Sequence, residues 1–382
     1  MPPTRATRAT RAARAARALR ILAATALLVT AGACGAGEPP AATPEPSTAG
    51  AAGPEVDKVT FSGVTANAGN WAIQVGVEFG IFREHGLDVS MIYSQSSPNA
   101  LAAMIGGSVQ FTSTVYDAVV LAHQKDPRVI AVAEGYRSYP EYLVVPKEVR
   151  SFEDLRGATC GAQNPEGIGD ALYLSKMMEH GGKLKAGADF KLTNVNLNAG
   201  PALAALQSGQ IKCIAVLPPT STLLERQGYK ILYDLQQVPE YQDLSFFGII
   251  ALKNWVAEHP NATRAFLKGY LASIAFLYDP ANKDRVIALL AKNAQVEPDV
   301  AEASYTWVTS GAYPRDGVIA DEVIPRTISL MKSGGSLDAS VPSDIAGLIE
   351  NSHVKAAFDE LPDSVKNGPG PKGLLPEGQT AA

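Results

Sequence analysis

The pattern of apolar and polar positions predicts short strands and amphipathic helices along most of the chain. Apolar or alternating runs predict strands at residues 58–64, 87–93, 109–114, 128–135, 141–146, 157–163, 191–197, 212–218 and 245–252. Helical periodicity dominates afterwards, at residues 260–278, 281–294, 297–309 and 319–332. Pro260 and Pro280 stand where two of these helices begin, as helix-start prolines do.

Two parts of the chain repeat one order of elements. "ALAAMIGGSVQF" at residues 100–111 matches "ALAALQSGQIKC" at residues 202–213, and "EHG" recurs at 84–86 and 179–181. In each copy a helix that stops at EHG precedes a strand, a small-residue loop, a second helix and another strand. Such units place helices on a mostly parallel sheet. The repeat therefore predicts an α/β protein with two similar lobes.

The elements also predict how the chain is divided. After the N-terminal region the segments are lobe 1 (56–140), lobe 2 (141–243), a return to lobe 1 with C-terminal helices (244–360) and a loose tail (361–382). The run "SFFGIIAL" at 245–252 is too apolar for a surface loop, so it is expected to return the chain to lobe 1. Two crossings, near 139–147 and 238–246, then join the lobes as a hinge.

The N-terminal region has the features of an export signal. Six arginines precede an apolar run from Leu19 to Ala31, which is far shorter than the roughly 20 residues of a membrane span. Residues 1–34 are predicted to be a signal peptide with a lipobox-like end at which Cys34 is acylated; cleavage with free secretion is the alternative. Residues 35–55 are rich in Gly, Pro, Ala and Thr, which predicts a flexible tether. The protein is expected to be extracytoplasmic and lipid-anchored to the outer face of the cell membrane.

Charge and cysteine content narrow the classes of partner. Loss of residues 1–33 changes the formal net charge from −5 to −11, because that segment carries six arginines and no acidic residue. This balance argues against nucleic acid as a partner. The histidines are scattered without metal-ligand spacing, so no metal and no cofactor is expected. Cys160 and Cys213 lie on strands predicted to be neighbours in lobe 2, which predicts either a disulfide or two buried thiols.

The order of several motifs resembles a known group of proteins. "VEFGIFREHGLDV", "SSPNALAAMIGGSVQFTST", "VRSFEDLRGATCGAQNPEGIG" and "ALAALQSGQIKCIAVLPP" follow one another within about residues 58–260. They resemble the substrate-binding proteins of ABC importers in the nitrate/sulfonate/taurine and thiamine-pyrimidine-precursor superfamily, which have the type II periplasmic-binding fold. The resemblance implies that the lobes close on a small-molecule ligand and that ABC permease subunits then accept it. The protein is expected to be a monomer. Where that group often has Glu-Pro, this chain has Pro218-Pro219, so the ligand class does not carry over.

Ligands of open α/β sheets bind beyond the carboxyl ends of the strands. The loops there are rich in short donors and acceptors, glycines and aromatic side chains, which suit a small polar or heteroaromatic molecule. The candidate ligand-binding residues are Asn67, Gly69, Asn70, Trp71, Ser96, Ser97, Ser113, Thr114, Tyr116, Tyr136, Arg137, Asn164, Glu166, Gly167, Ile168, Pro218, Thr220 and Phe246.

Three of these predictions leave an alternative open. The turn Gly167–Gly169, before a helix predicted at 168–180, offers backbone N–H groups to the ligand or only makes the turn. The aromatic residues stack on a planar ligand or pack at the hinge or at an edge. Arg137 pairs with an anionic group or is solvated.

One function and two alternatives follow from these features. The expected function is an extracytoplasmic solute-binding protein that captures its ligand in an interlobe cleft and delivers it to an ABC permease. The alternatives are a sensor that presents its closed form to a membrane receptor, and an enzyme on the same fold acting on a pyrimidine or aromatic acid. The chain has no G-x-S-x-G, C-x-x-C or H-E-x-x-H motif, so no catalytic residue is assigned and enzymatic activity is not expected.

Overall fold

The structure is a computed structural model that describes residues 53–137, 141–164, 168–242, 244–309 and 311–370. The predicted signal peptide, Cys34 and most of the predicted tether lie outside the described residues, as do Glu166 and Gly167. Within the described ranges, no helix is both long enough and apolar enough to cross a membrane.

The strands of the described residues form two five-stranded sheets. Their bounds are β1 (Lys58–Gly63), β2 (Asp88–Tyr93), β3 (Phe111–Val115), β4 (Val129–Arg137), β5 (Tyr142–Pro146), β6 (Thr159–Ala162), β7 (Lys191–Asn194), β8 (Cys213–Val216), β9 (Tyr229–Asp234) and β10 (Ser245–Leu252). Strand β9 was not among the predicted strands. It is a half-buried edge strand, so its sequence has neither a continuous apolar run nor a clear alternation.

The two sheets share one plan. The lobe 1 sheet has the order β2-β1-β3-β10-β4, with β1 parallel to β2 and β3 and with β10 antiparallel to both of its neighbours. The lobe 2 sheet has the order β7-β6-β8-β5-β9, with β6 parallel to β7 and β8 and with β5 antiparallel to both of its neighbours. The prediction of two similar α/β lobes is confirmed. Each sheet is mixed, with a single strand running against the others.

Helices surround both sheets. Their bounds are α1 (Trp71–Glu78), α2 (Ile81–Glu84), α3 (Ser97–Ile105), α4 (Tyr116–Lys125), α5 (Asp170–Gly182), α6 (Ala199–Gln207), α7 (Thr220–Arg226), α8 (Lys253–Glu258), α9 (Pro260–Tyr278), α10 (Lys283–Ala294), α11 (Pro298–Thr309), α12 (Val323–Ser333), α13 (Ser352–Asp359) and α14 (Asp363–Lys366). The helix predicted at residues 260–278 has those bounds. The short helices α8 and α13 were not predicted, because neither spans enough turns to give a clear period.

The core of lobe 1 is built on stacked aromatic rings. Phe266 of α9 stacks on Phe111 of β3, with ring centroids 4.0 Å apart, and on Phe82 of α2, at 5.2 Å. All three side chains are fully buried. Because α9 follows β10 directly after the short helix α8, this packing fixes the returning segment against the first part of the lobe.

A disulfide fixes the centre of lobe 2. Cys160 of β6 and Cys213 of β8 face each other in the sheet register, with their Cα atoms 4.5 Å apart, and both are fully buried. Of the two alternatives that the sequence leaves open, the structure contains the disulfide.

The chain is packed beyond residue 360. Leu361 is buried, α14 follows it, and the Arg315 guanidinium donates to the backbone oxygen of Gly368. The prediction of a loose tail is therefore wrong for residues 361–370. Leu361 anchors the segment, and Gly370 lies against the ring of Tyr278, where a Cβ atom would be only 2.7 Å from Cδ2. Residues 371–382 lie outside the described ranges.

Candidate functional site

A cavity of about 70 Å³ lies where the two sheets face each other. Lobe 1 lines it with Val64, Thr65, Ala66, Asn67, Asn70, Ser97, Ser113, Thr114, Val115 and Phe247, and lobe 2 with Glu141, Gln163, Asn164, Gly169, Asp170, Leu197, Asn198, Val216, Leu217 and Thr220. One water needs roughly 10–15 Å³ of such space. The cavity therefore has room for a small molecule of a few non-hydrogen atoms.

Direct hydrogen bonds hold the lobes together around this cavity. The Gly169 N–H of lobe 2 donates to Oδ2 of Asp117 in lobe 1, at 2.7 Å. The Ala68 N–H of lobe 1 donates to the Pro218 oxygen of lobe 2, at 3.3 Å. At the rim, Asn196 Nδ2 donates to Gln95 Oε1 at 3.0 Å. The structure is therefore a closed arrangement.

A buried network shapes the lobe 1 wall. Asn70 donates from Nδ2 to the Thr65 oxygen at 2.8 Å and accepts at Oδ1 from the Ser113 hydroxyl at 2.5 Å. Asn67 donates to the Thr65 hydroxyl at 2.9 Å. The hydroxyl of Thr114, by contrast, is buried and has no hydrogen-bond partner within the part of the chain that the structure describes. The network fixes the wall and leaves one polar group available to a ligand.

Asp170 organises the lobe 2 wall at the start of α5. Its carboxylate accepts from the Gln163 N–H at 2.5 Å and from Asn164 Nδ2 at 3.1 Å. Burial raises the pKa of Asp170 to about 6, against the effect of these hydrogen bonds. Gly169 precedes it with φ of 55°, a conformation that favours glycine. The loop is thereby turned so that the Gly169 N–H points to Asp117 of the other lobe.

The carboxyl group of Glu141 is a second buried polar group of the cavity, beside the Thr114 hydroxyl. Its side chain is 1% exposed, and neither carboxylate oxygen has a hydrogen-bond partner among the described residues. Burial raises the pKa of Glu141 well above its ordinary value, and the charges of Asp170 and Asp117 raise it further. Among the described residues, no lysine, arginine or histidine lines the cavity. The site is acidic.

The cavity brings together part of the predicted set. The predicted residues that line it are Asn67, Asn70, Ser97, Ser113, Thr114, Asn164 and Thr220. Those that the structure places elsewhere are Gly69, Trp71, Ser96, Tyr116, Tyr136, Arg137, Ile168, Pro218 and Phe246.

The predicted aromatic residues pack within the protein. Trp71 and Tyr136 belong to the lobe 1 core, and the Tyr116 hydroxyl donates to Glu134 at 3.3 Å. Phe246 packs edge-on against the ring of Tyr173, at 4.8 Å. None of these four rings lines the cavity, and Trp71 and Tyr136 lie in the core, a place that neither alternative named.

Polar and turn residues were misplaced for separate reasons. Arg137 is buried beside β10, where a guanidinium nitrogen donates to the Val318 oxygen at 3.4 Å, so it is neither solvated nor at the cavity. Ser96 caps the N-terminus of α3 by accepting from the Asn99 N–H at 3.3 Å. Ile168 lines a separate open groove with Ser96.

Two further predicted residues support the cavity from behind or from its rim. A Cβ atom on Gly69 would lie 2.6 Å from Cε1 of Phe247, so this glycine lets the ring pack closely. Pro218 contributes only its backbone oxygen, which accepts from Ala68, and its peptide bond to Pro219 is cis.

A family comparison agrees with this geometry. A family model described as NMT1/THI5 like matches residues 69–283, which is more than half of the chain. The chain belongs to the NMT1/THI5-like family. The match covers nearly all of both sheets and most cavity residues, and the resemblance to this superfamily is confirmed.

Two proteins with similar sequences are named as binding proteins. The chain is 25% identical over 237 residues to a formylaminopyrimidine-binding protein of Halalkalibacterium halodurans, covering 59% of this chain and 67% of that one. It is 28% identical over 188 residues to the taurine-binding periplasmic protein of Escherichia coli, covering 49% and 56%. The chain thus spans little more than half the length of the taurine-binding relative.

Solved structures share the fold. The nitrate-binding protein NrtA of Synechocystis matches with a TM-score of 0.68 at 14% identity, over 82% of this chain and 92% of that one. The alkanesulfonate-binding protein SsuA of Xanthomonas axonopodis matches at 0.63 and 15%, over 78% and 99%. The desulfurization enzyme DSZB matches at 0.56 and 13%, over 80% and 99%. This fold therefore occurs in binding proteins and in an enzyme.

The acidic residues of the cavity were not among the predicted site residues. Glu141, Gln163, Asp170, Asn198 and Phe247 line the cavity but were not predicted. Glu141 and Phe247 lie at the beginnings of β5 and β10, the two antiparallel strands. A signal was present for Glu141, which is an acidic residue directly before the apolar run "YLVV" at a predicted crossing.

Proposed function

We propose that this protein is the solute-binding component of an ABC importer. Its cavity between two lobes carries the proposal, because a site with walls from both lobes fits capture followed by release. Two relatives in its family are named as binding proteins for a pyrimidine and for taurine. The ligand enters between open lobes, the interlobe hydrogen bonds form on closure, and ABC permease subunits accept the closed form.

In this proposal the protein functions outside the cytoplasm. It rests on the export features of residues 1–34, and acylation of Cys34 would hold the monomer at the membrane. Mass spectrometry of the mature N-terminus from a membrane fraction tests this point. An acylated N-terminal Cys34 supports the anchor, and an unmodified N-terminus in the secreted fraction contradicts it.

An enzyme on this fold is the competing function, since DSZB shares the architecture. The two cysteines of the described residues form the lobe 2 disulfide, and neither lines the cavity. Buried carboxyl groups such as Asp170 remain available for proton transfer. The ligand must therefore be recovered and analysed chemically after any binding experiment.

Thermal unfolding against a ligand panel tests the function. The panel contains sulfonates, nitrate, pyrimidines, aromatic acids and amino acids. A ligand at about 100 times its Kd stabilises the folded protein by about 2.7 kcal/mol, a rise of a few degrees in Tm. A rise with the ligand recovered intact supports solute binding. An altered ligand points to an enzyme instead, and no rise with any member contradicts the proposal.

A pair of threonine variants makes the result specific to the cavity. Thr114→Val removes the buried, unpartnered hydroxyl with little change of shape, whereas Thr306→Val changes an exposed position on α11. We expect Thr114→Val alone to weaken binding of the identified ligand, by about five- to tenfold, with the stability of the empty protein retained. If the two variants change ligand affinity equally, the cavity is not the binding site.

A further inference from the structure

Three carboxyl groups from separate elements lie at the interface between the lobes. Asp117 of α4 belongs to lobe 1 and is 3% exposed. Asp170 of α5 belongs to lobe 2 and follows Gly169, whose N–H donates to Asp117 across the interface. Glu141, directly before β5, lines the same cavity as Asp170 and is 1% exposed. Separation of the lobes breaks the Gly169 bond and opens the cavity to water, so closure takes these carboxyl groups out of water.

No positive charge balances these three groups. Asp170 and Asp117 are the charged groups that act on Glu141, and both have the same sign as its carboxylate. Among the described residues, no lysine, arginine or histidine lines the cavity. The tyrosines that line a smaller cavity with Asp117 have uncharged phenol groups at neutral pH, and they are Tyr116, Tyr173 and Tyr241. Burial of like charges without a counter-ion is so costly that a carboxyl group takes up a proton instead.

Hydrogen bonding distinguishes Glu141 from the two aspartates. Asp117 and Asp170 each accept two hydrogen bonds, which favour the ionised form of a carboxyl group. Neither oxygen of Glu141 accepts a hydrogen bond from the described residues, so nothing there offsets the burial of its charge. Burial, together with the charges of the two aspartates, accordingly raises the pKa of Glu141 well above its ordinary value. Of the three groups, Glu141 is the one that the closed form holds protonated.

We infer that Glu141 takes up a proton when the lobes close, so that capture of the cargo is coupled to proton binding. The inference rests on the proposed solute-binding function and adds a proton as a second ligand of the same site. In the open form the Glu141 carboxyl group is in contact with water and ionises as an ordinary glutamate does. The form that binds more protons is favoured as the pH falls. Acidic conditions therefore favour closure, and a rise in pH favours opening and release.

Two other carboxyl groups set the pH range of the test. Glu134 of β4 accepts from Tyr116 and is stabilised by the charge of Arg137, both in lobe 1, so its proton is held alike in open and closed forms. Its titration therefore cancels from the closing equilibrium. The pKa of Asp170 is about 6, so this residue adds proton uptake chiefly below that pH. Measurements between about pH 7 and pH 8.5 therefore report on Glu141.

The closing equilibrium is measured by energy transfer between fluorescent labels, without any ligand. The labels are attached at Gln124→Cys in lobe 1 and Lys191→Cys in lobe 2, two exposed positions. The labelled pair is made in the otherwise wild-type protein, in Glu141→Gln and in Glu148→Gln, which changes an exposed glutamate of lobe 2. In wild type and Glu148→Gln, we expect the ratio of closed to open molecules to fall by up to about tenfold per pH unit. In Glu141→Gln it should change less than about twofold over the whole range.

The direction of the effect separates proton coupling from a structural role. At about pH 8.5 Glu141→Gln should be more closed than wild type, because its amide has no proton to lose, whereas loss of a structural contact would make it less closed. Urea unfolding checks that both glutamine variants are folded. A closed-to-open ratio that does not depend on pH in wild type overturns the inference. Equal pH dependence in Glu141→Gln and Glu148→Gln also overturns it.

Proton uptake during binding gives a second readout. With a cargo identified by the ligand panel, calorimetric titrations in two buffers of different ionisation enthalpy should show net uptake of up to about one proton in wild type and none in Glu141→Gln. Net proton release in wild type overturns the inference. The closing measurement needs no ligand, so the two proposals fail separately. A panel without a binder contradicts solute binding, and a flat pH profile contradicts proton coupling alone.

Discussion

The interlobe hydrogen bond at Asp117 offers the sharpest test of how the closed form is held. Asp117, at the start of α4, accepts from the Gly169 N–H of lobe 2 at 2.7 Å and from the Ala118 N–H of its own lobe at 2.6 Å. Asp117→Ala removes both bonds. The bond to Ala118 lies within one lobe and exists in open and closed forms alike, so its loss cancels from the closing equilibrium. What remains is a Gly169 N–H that closure buries without a partner.

The expected magnitude follows from that buried donor. An unsatisfied buried N–H costs about 1–3 kcal/mol, which shifts the closing equilibrium about fivefold to more than a hundredfold toward the open form. A second contact between the lobes serves as a matched comparison. Arg226 of α7 in lobe 2 forms an ion pair with Asp299 of α11 in lobe 1, and both side chains are exposed. An exposed ion pair is worth about 0–1 kcal/mol, so Arg226→Ala should shift the equilibrium by fivefold at most.

Calorimetry and solution scattering measure the two variants. Because the ligand is held by the closed form, the apparent Kd of the identified ligand should rise by the factor lost in closing. The radius of gyration of the ligand-saturated protein should return to the wild-type value at high ligand concentration. Urea unfolding reports the separate cost of losing the Ala118 bond. If Asp117→Ala weakens binding no more than Arg226→Ala does, the buried bond is not what holds the lobes closed.

Two further substitutions test groups behind the cavity. Burial raises the pKa of Glu134 from 4.5 to about 7, so the folded protein holds this proton more tightly than the unfolded chain. The stability that this proton contributes is fully present below pH 4.5 and is lost as the pH rises to about 7. Urea unfolding should therefore show that wild type loses about 3 kcal/mol of unfolding free energy relative to Glu134→Gln between pH 4.5 and pH 7. A difference between the two proteins that does not depend on pH would contradict the burial argument. Gly69→Ala places a Cβ atom 2.6 Å from Cε1 of Phe247, so it should cost about 1–3 kcal/mol and weaken ligand binding. Gly200→Ala in α6 meets no described atom within 4 Å apart from its chain neighbours and the backbone of its own helix, so it should be neutral or stabilising by up to about 1 kcal/mol. Equal thermal stability of these two alanine variants would show that the ring moves aside without cost.

The fold was predictable because its signals are local. Buried strands such as "SFFGIIAL" at 245–252 leave a continuous apolar run, and α9 begins at a proline and keeps its period for several turns. Strand β9 was missed because it lies at a sheet edge with every residue half-buried. The packed segment 361–370 was missed because its contacts are made to distant residues such as Tyr278, which no local pattern records.

The candidate site was predictable only in part, and the reason is the direction of two strands. The rule that ligands bind beyond the carboxyl ends of strands finds Asn67, Thr114 and Asn164. Strands β5 and β10 run against their neighbours, so they reach the cavity with their amino ends, where Glu141 and Phe247 lie. On β10 the alternation then decides which of two adjacent phenylalanines faces the cavity, and choosing Phe246 placed the ring on the wrong side of the sheet.

The place of β10 also governs the order in which a newly made chain can acquire structure. This strand lies between β3 and β4, yet the ribosome makes it only after the whole of lobe 2. Lobe 2 is continuous from β5 to β9 and can complete its sheet as soon as it emerges. Until β10 is made, β3 and β4 of lobe 1 each have an unpaired edge, and such edges can pair with strands of other incompletely folded chains. A chain cut short before Ser245 should therefore retain a folded second lobe and expose an aggregation-prone first one.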